Sequence, residues 1–192
     1  MKHLEYPFTM SKIQELRAGD KVSLSGRVFT GRDRLHKHLF EGGKCPVDLK
    51  DGAIYHCGPV ISGREEAWVV CAAGPTTSIR QDLYMPKIIE QHKVRIIIGK
   101  GGMGDATVKA CMKHGCVYLQ LVGGAAALLA ENIEKIEGVH FLKEFGETDA
   151  LWELQVKDFK AVVTMDVMGG NLHKKIKLAS RRALKRLLGA SE

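Results

Sequence analysis

No apolar run in the chain approaches the roughly 18 residues that a membrane-spanning helix needs. The opening stretch, MKHLEYPFTMSKIQEL, puts charge and proline where a secretory signal would carry its apolar segment. A cytoplasmic protein without membrane contact is therefore expected. Cysteine is scarce and odd in number: Cys45, Cys57, Cys71, Cys111 and Cys116 form no CxxC pair, which excludes a disulfide framework and a zinc ribbon. No set of ligating residues has the spacing of a complete metal site. His36 and His38 stand two apart, and such residues do not face each other on a helix, so no metal is expected on this chain. Acidic charge is also short, at 22 Asp and Glu against 29 Lys and Arg, for a net charge of +7. That balance favours anionic partners without choosing among nucleic acid, phosphate and carboxylate. Long linkers, low-complexity segments and internal repeats are absent, so a single domain over residues 1–192 is expected.

What is present is the material of a packed interior. At 192 residues and 45% hydrophobic, the chain can bury a substantial core. A short helical stretch leads into a strand over 21–30, whose alternation is read as putting Val22, Leu24 and Val28 on differing faces, which leaves the register loosely specified. RDRLHKHLFEGG predicts a short helix stopped by Gly42 and Gly43, and His56-Cys57 reads as core or turn. From Trp68 onward the pattern becomes strand, turn, helix: AWVVCAA through GPTTS into IRQDLYMPKIIEQH, VRIII through GKGGMG into DATVKACMKHG, and CVYLQLV through GG into AAALLAENIEKIEG. Such alternation predicts an α/β fold, a parallel sheet covered by helices behind a β-rich N-terminal part. Pro86 interrupts or kinks the first of these helices, and FKAVVTMDVMGG predicts a further strand. The tail is read as a basic C-terminal helix over 174–189, one face on the core and the basic face in water.

Gly99, Gly101 and Gly104 fit G-x-G-x-x-G between a strand and a helix, the context of a dinucleotide fingerprint. The acidic residue that such a site needs about twenty positions on is missing, since CVYLQLVGG offers only Gln120. The Walker form fails as well, because Lys100 precedes the glycines. The turn still places Lys100 and glycine amides at a strand's carboxyl end, near a helix start. If the sheet is parallel, the preceding strand brings Thr76, Thr77, Ser78 and Arg80 to the same edge. One hydroxyl would cap the helix there, and Arg80 in its first turn is unfavourable unless an anion is near. Arg32 begins the earlier helix in a similar position, where its planar fork could clamp a second carboxylate. A small carboxylate ligand suits this set. A basic module binding RNA or a nucleotide through the glycine turn and the tail helix is the alternative of another class.

TGRDRLHKHL, GPTTSIRQD, IIIGKGGMG, LVGGAAALLA and LWELQVKDFKAVVTMD together resemble the beta subunit, or C-terminal domain, of iron–sulfur class I fumarate hydratases and the related L-tartrate dehydratases. The resemblance runs in order from about Arg32 to Asp166. It implies a swivelling β/β/α domain and a hydro-lyase that reversibly hydrates fumarate to L-malate, with tartrate dehydration as the alternative within the class. It implies Arg32 and Arg80 as the residues on the substrate carboxylates, Thr76 as the base, and Lys100 within the site, with Thr77 and Gly101 beside the substrate. Gln81 stands where many relatives carry Met, a neighbour change not expected to alter the chemistry. The four-iron four-sulfur cluster would be held by a partner alpha subunit and not by this chain, leaving half an enzyme, inactive alone, in a hetero-oligomer. No nucleic acid partner is expected on this reading.

Overall fold

The computed structural model describes residues 1–64 and 67–189. The chain runs β1 (Lys2–Glu5), α1 (Met10–Gln14), β2 (Lys21–Thr30), α2 (Asp33–Phe40), β3 (Ala53–Tyr55), β4 (Val60–Ser62), β5 (Val69–Ala72), a 3-10 turn (Ser78–Gln81), α3 (Met85–His92), β6 (Ile96–Gly99), α4 (Asp105–His114), β7 (Val117–Gln120), α5 (Ala126–Ala130), β8 (Ile133–His140), α6 (Leu142–Phe145), β9 (Leu151–Met165) and α7 (Leu172–Leu187).

Mixed α/β architecture is as expected, but the sheet is not wholly parallel. Its order is β1-β2-β3-β6-β7-β9-β8, with β2 also paired to β9. The neighbours from β1 to β7 are parallel, whereas β9 runs antiparallel to β2, β7 and β8. The 15 residues of β9 let it span from β8 to β7 while lying along β2, so β2, β3, β6, β7 and β9 close on themselves like a small barrel. Closure removes sheet edges that would otherwise need covering.

Alternation along the strands feeds two cores. Val22, Leu24, Val28, Ile96, Ile98, Val117 and Leu119 point into the enclosed one, with Trp152 and Phe159 of β9. Phe29, Ile54, Ile97 and Tyr118 point outward beneath α2, α3 and α4. This explains why the 96–98 run is continuously apolar: every residue of β6 is buried on one face or the other. The register of β2 is also better specified than its pattern suggested. Val22, Leu24 and Val28 share one core, and the register shift opposite Leu24–Gly26 is absorbed in β9, where Asp158 takes a φ of 51°.

Four other expectations need correction. AWVVCAA does not join the main sheet, because β5 pairs antiparallel with β4 in a separate two-stranded sheet. AAALLAENIEKIEG is not one helix: it stops at Ala130, and Ile133–His140 is a strand. Register shifts at Ile133/Lys135 and Ile136/Gly138 turn the period-2 alternation into a three-residue spacing of Ile133, Ile136 and Val139, which mimics a helix. Pro86 kinks nothing, since α3 begins at Met85 and its second position has no amide to lose. Helix α7 buries no residue, and Ile176 and Leu187 are 62% and 85% exposed. Its expected apolar face is not on the core.

Candidate active site

The carboxyl ends of β2, β3, β6 and β7 lie side by side: Thr30, Tyr55, Gly99 and Gln120 end the strands there. Beyond their last paired residues, β3 and β6 part, and the GPTTS segment is stitched between them. The Thr76 N–H donates to the His56 carbonyl at 2.7 Å, Ser78 N–H donates to the Lys100 carbonyl at 3.0 Å, and Thr77 bridges Lys100 in parallel. Tertiary insertion therefore brings GPTTS to this edge, although its preceding strand belongs to another sheet.

The predicted site residues meet here in part. Arg80 Nη2 donates to Thr76 Oγ1 at 3.0 Å and lies 3.6 Å from Asp33 Oδ2. The Lys100 side chain runs across Gly123, where an added Cβ would stand 3.8 Å from Nζ. Thr77 and Gly101 are exposed on the rim, and a Cβ on Gly101 would come within 3.9 Å of Thr77 Cγ2. Arg32 precedes α2 and packs on Gly58, where a Cβ would stand 2.6 Å from Nη1. Its Nε is buried without a partner among the described residues. Among the described residues no hydrogen bond joins Arg32 to Thr76, Arg80 or Lys100. They share the edge rather than a direct contact.

Several local expectations change. Arg80 lies in the 3-10 turn and not in the first turn of α3, so the helix-dipole objection to a cation does not arise there. None of the three hydroxyls caps that turn. Thr76 accepts from Arg80, and the buried Ser78 Oγ accepts from Tyr118 Oη at 2.9 Å and meets His56 Nδ1 at 2.9 Å. The glycine turn serves an anion, but it is the chain's own. Asp82 Oδ1 accepts from the Gly104 N–H at 2.7 Å and from Thr107 Oγ1 at 2.6 Å, occupying the start of α4. Gly99 is required for packing, since a Cβ there would collide with Ser78 Oγ.

Beneath Thr76 and Arg80 lies a polar layer that pattern reading passed over. His36, His56, Ser78 and Gln81 are all fully buried. Asp33 and His36, three apart on α2 and so on one face, both bind Gln81: its Nε2 donates to Asp33 Oδ1 at 2.6 Å and its Oε1 meets His36 Nδ1 at 2.8 Å. His36 and His56 pack edge to face at 5.1 Å. Burial pushes the pKa of His36 down to about 4, and burial, then the neighbouring His36, pushes that of His56 well below the usual histidine range. Burial also raises the Tyr118 hydroxyl to about 12. In the sequence this layer is marked by the three-residue spacing of Asp33 and His36 on one helix face, not by the two-residue spacing of His36 and His38.

The cysteines do not suit a metal cluster. Cys57, Cys111 and Cys116 are buried, and burial pushes Cys57 up to about 12 and raises Cys45 and Cys116, whereas a ligand thiol must lose its proton. Among the described residues no group of three or more His, Cys, Asp or Glu is placed to hold a metal ion.

Fold and site together define a mixed α/β domain that gathers two arginines, a lysine and a threonine hydroxyl where parallel strands end. The family model described as Fumarase C-terminus matches residues 2–176. Over 182 residues the chain is 49% identical to a Geobacillus stearothermophilus protein assigned as class I fumarate hydratase, covering 94% of this chain and 35% of that one. It is 36% identical over 194 residues to a Methanocaldococcus jannaschii protein assigned as L(+)-tartrate dehydratase subunit beta, covering 97% and 100%. With the L(+)-tartrate dehydratase subunit beta of Escherichia coli K12 it shares 37% over 173 residues, covering 89% and 86%. The chain therefore belongs to the fumarase C-terminus family, and spans about a third of the first of these relatives.

Proposed function

We propose that the chain is the beta subunit of an iron–sulfur hydro-lyase that reversibly hydrates fumarate to L-malate, working as a single swivelling β/β/α domain whose site is completed by an alpha subunit in the cytoplasm. The observation that carries this reading is the Arg80–Thr76 hydrogen bond at 3.0 Å, set at the carboxyl edge beside Lys100. Removing a proton next to a carboxylate builds negative charge, and cations that grip both carboxylates stabilise it. Arg80 and Arg32 supply the grip. A threonine hydroxyl is a poor base unless its anion is stabilised, and a guanidinium donating to Oγ1, with the Lys100 ammonium at the same edge, provides that stabilisation.

The cysteines of this chain do not fit the cluster, so it is assigned to the alpha subunit, and the isolated chain is expected to be colourless and inactive. Near-complete coverage of two tartrate dehydratase beta subunits supports a two-chain enzyme and favours a second reading, in which the substrate is L-tartrate. The test is anaerobic pull-down with the tagged chain from its own lysate, with iron analysis and turnover of malate, fumarate and tartrate. A brown, iron-bearing partner active on malate or fumarate supports the first reading, and activity on tartrate alone the second. Recovery of nucleic acid, or of nothing, under conditions that preserve the cluster rejects both.

A further inference from the structure

We propose that Gln81 and His36 are positioning residues: clamped between His36 and Asp33, the Gln81 amide fixes the Asp33 carboxylate, which holds the Arg80 guanidinium on the Thr76 hydroxyl. Its catalytic consequence rests on the hydro-lyase reading, but the positioning does not.

Arg80 and Asp33 are about half exposed, at 50% and 48% of their side chains. An ion pair of that exposure does little to order a long side chain, and an arginine gives up rotamer freedom to point one way. Something rigid must hold the far side of Asp33. The 2.6 Å bond from Gln81 Nε2 takes Oδ1 and leaves Oδ2 facing Arg80.

The orientation of Gln81 follows from its partners. An ionised carboxylate only accepts, so the Gln81 NH2 faces Asp33 and its carbonyl faces His36. His36 must then carry its proton on Nδ1 and donate it. An imidazole kept neutral by burial does so while Nε2 remains bare, and that nitrogen has no partner among the described residues. Both Gln81 and His36 are fully buried, and α2 presents Asp33 and His36 three residues apart on the face toward the 3-10 turn. An apolar side chain would fill the place of Gln81 without taking an amide from water. What the amide adds is direction: the donor–acceptor order runs from His36 Nδ1 through Gln81 to Asp33, whose other oxygen faces the Arg80 guanidinium, and Arg80 in turn donates to Thr76. On this proposal Gln81 differs in effect from the Met that many relatives carry, contrary to the expectation drawn from the resemblance.

Two arms test this. In the first, the full chain carrying 15N-labelled arginine and histidine is studied by NMR as wild type, Gln81→Met and Gln81→Glu. Wild type should show a neutral His36 protonated on Nδ1 and an Arg80 guanidinium with slowed rotation. In Gln81→Met the Arg80 signal should become that of a freely rotating side chain. In the second arm the chain is assembled with its alpha subunit. There Gln81→Met should lower kcat/KM about tenfold. Gln81→Glu places a second carboxyl beside Asp33, among charged or titratable groups that include His36, His56, Arg80 and Asp149. Two such carboxyls share a proton, which restores the link only as pH falls. Activity of Gln81→Glu relative to wild type should therefore be at least tenfold greater at pH 6 than at pH 8, whereas a purely structural role gives a flat ratio. An Arg80 signal indifferent to Gln81→Met, or a flat ratio in an active complex, overturns the proposal. An inactive wild-type complex with the NMR changes intact rejects the hydro-lyase reading and leaves the positioning standing.

Discussion

The carboxyl edge of the parallel strands and helix α7 are both cationic, and they are built in opposite ways. Helix α7 carries seven Lys and Arg and no acid in its 16 residues, yet none of them is buried. Its Asn171 cap accepts from the Lys174 N–H at 3.1 Å, and Lys174 approaches Asp105 at 3.4 Å. The edge holds far fewer cations, but they stand on a buried layer of His36, Gln81, His56, Ser78 and Tyr118 with defined partners. Charge density marks the first region and orientation marks the second. Chemistry that must direct one proton needs orientation, so a basic tail is the weaker pointer to the site.

The largest effect that would break this contrast is at the hydroxyl. Thr76→Val in the assembled enzyme is expected to lower kcat by ~10²-fold or more, as loss of a general base does, while a dicarboxylate still binds. Steady-state turnover beside equilibrium binding checks it, and wild-type turnover would remove Thr76 from the mechanism. Next comes the layer below. Gly99→Ala forces a Cβ onto Ser78 Oγ and against Tyr118 and His56, and should cost about 1–3 kcal/mol in urea denaturation.

Acid should act on the same layer. His36 binds a proton at the ordinary pH of about 6.5 when unfolded but only near 4 when folded, so the unfolded state takes up more protons and stability falls as pH drops through that window. The loss from His36 should reach about 2 kcal/mol by pH 5, with His56 adding in the same direction. Denaturation midpoints from pH 7 to pH 5 report it. The smallest change belongs to α7: Lys185→Gln with Arg186→Gln should shift stability by no more than about 0.5 kcal/mol, because both side chains are solvated. A larger loss of stability would show that the basic face of α7 is not simply solvated.

Much of the edge was legible as pattern. The strand–glycine–helix unit at 94–115 was read correctly in outline, as was Arg32 at the start of α2. The helix expected through Ile133–His140 was not, because two irregularities in a strand reproduce a helical interval. The bonds of Gln81 were not legible, because its partners Asp33 and His36 lie more than forty residues earlier.

By itself, then, the sequence determined the mixed α/β class, the buried β6 and the order of residues matching the fumarase C-terminus family, because local periodicity and turn chemistry act over a few neighbouring positions. Only the tertiary structure decided that β9 closes the sheet, that GPTTS enters between β3 and β6 although β5 lies elsewhere, that Asp82 fills the start of α4, and that Gln81 ties α2 to the 3-10 turn. Each of these is a pairing between distant segments, and such pairings are selected by burial and hydrogen-bond satisfaction across the whole fold.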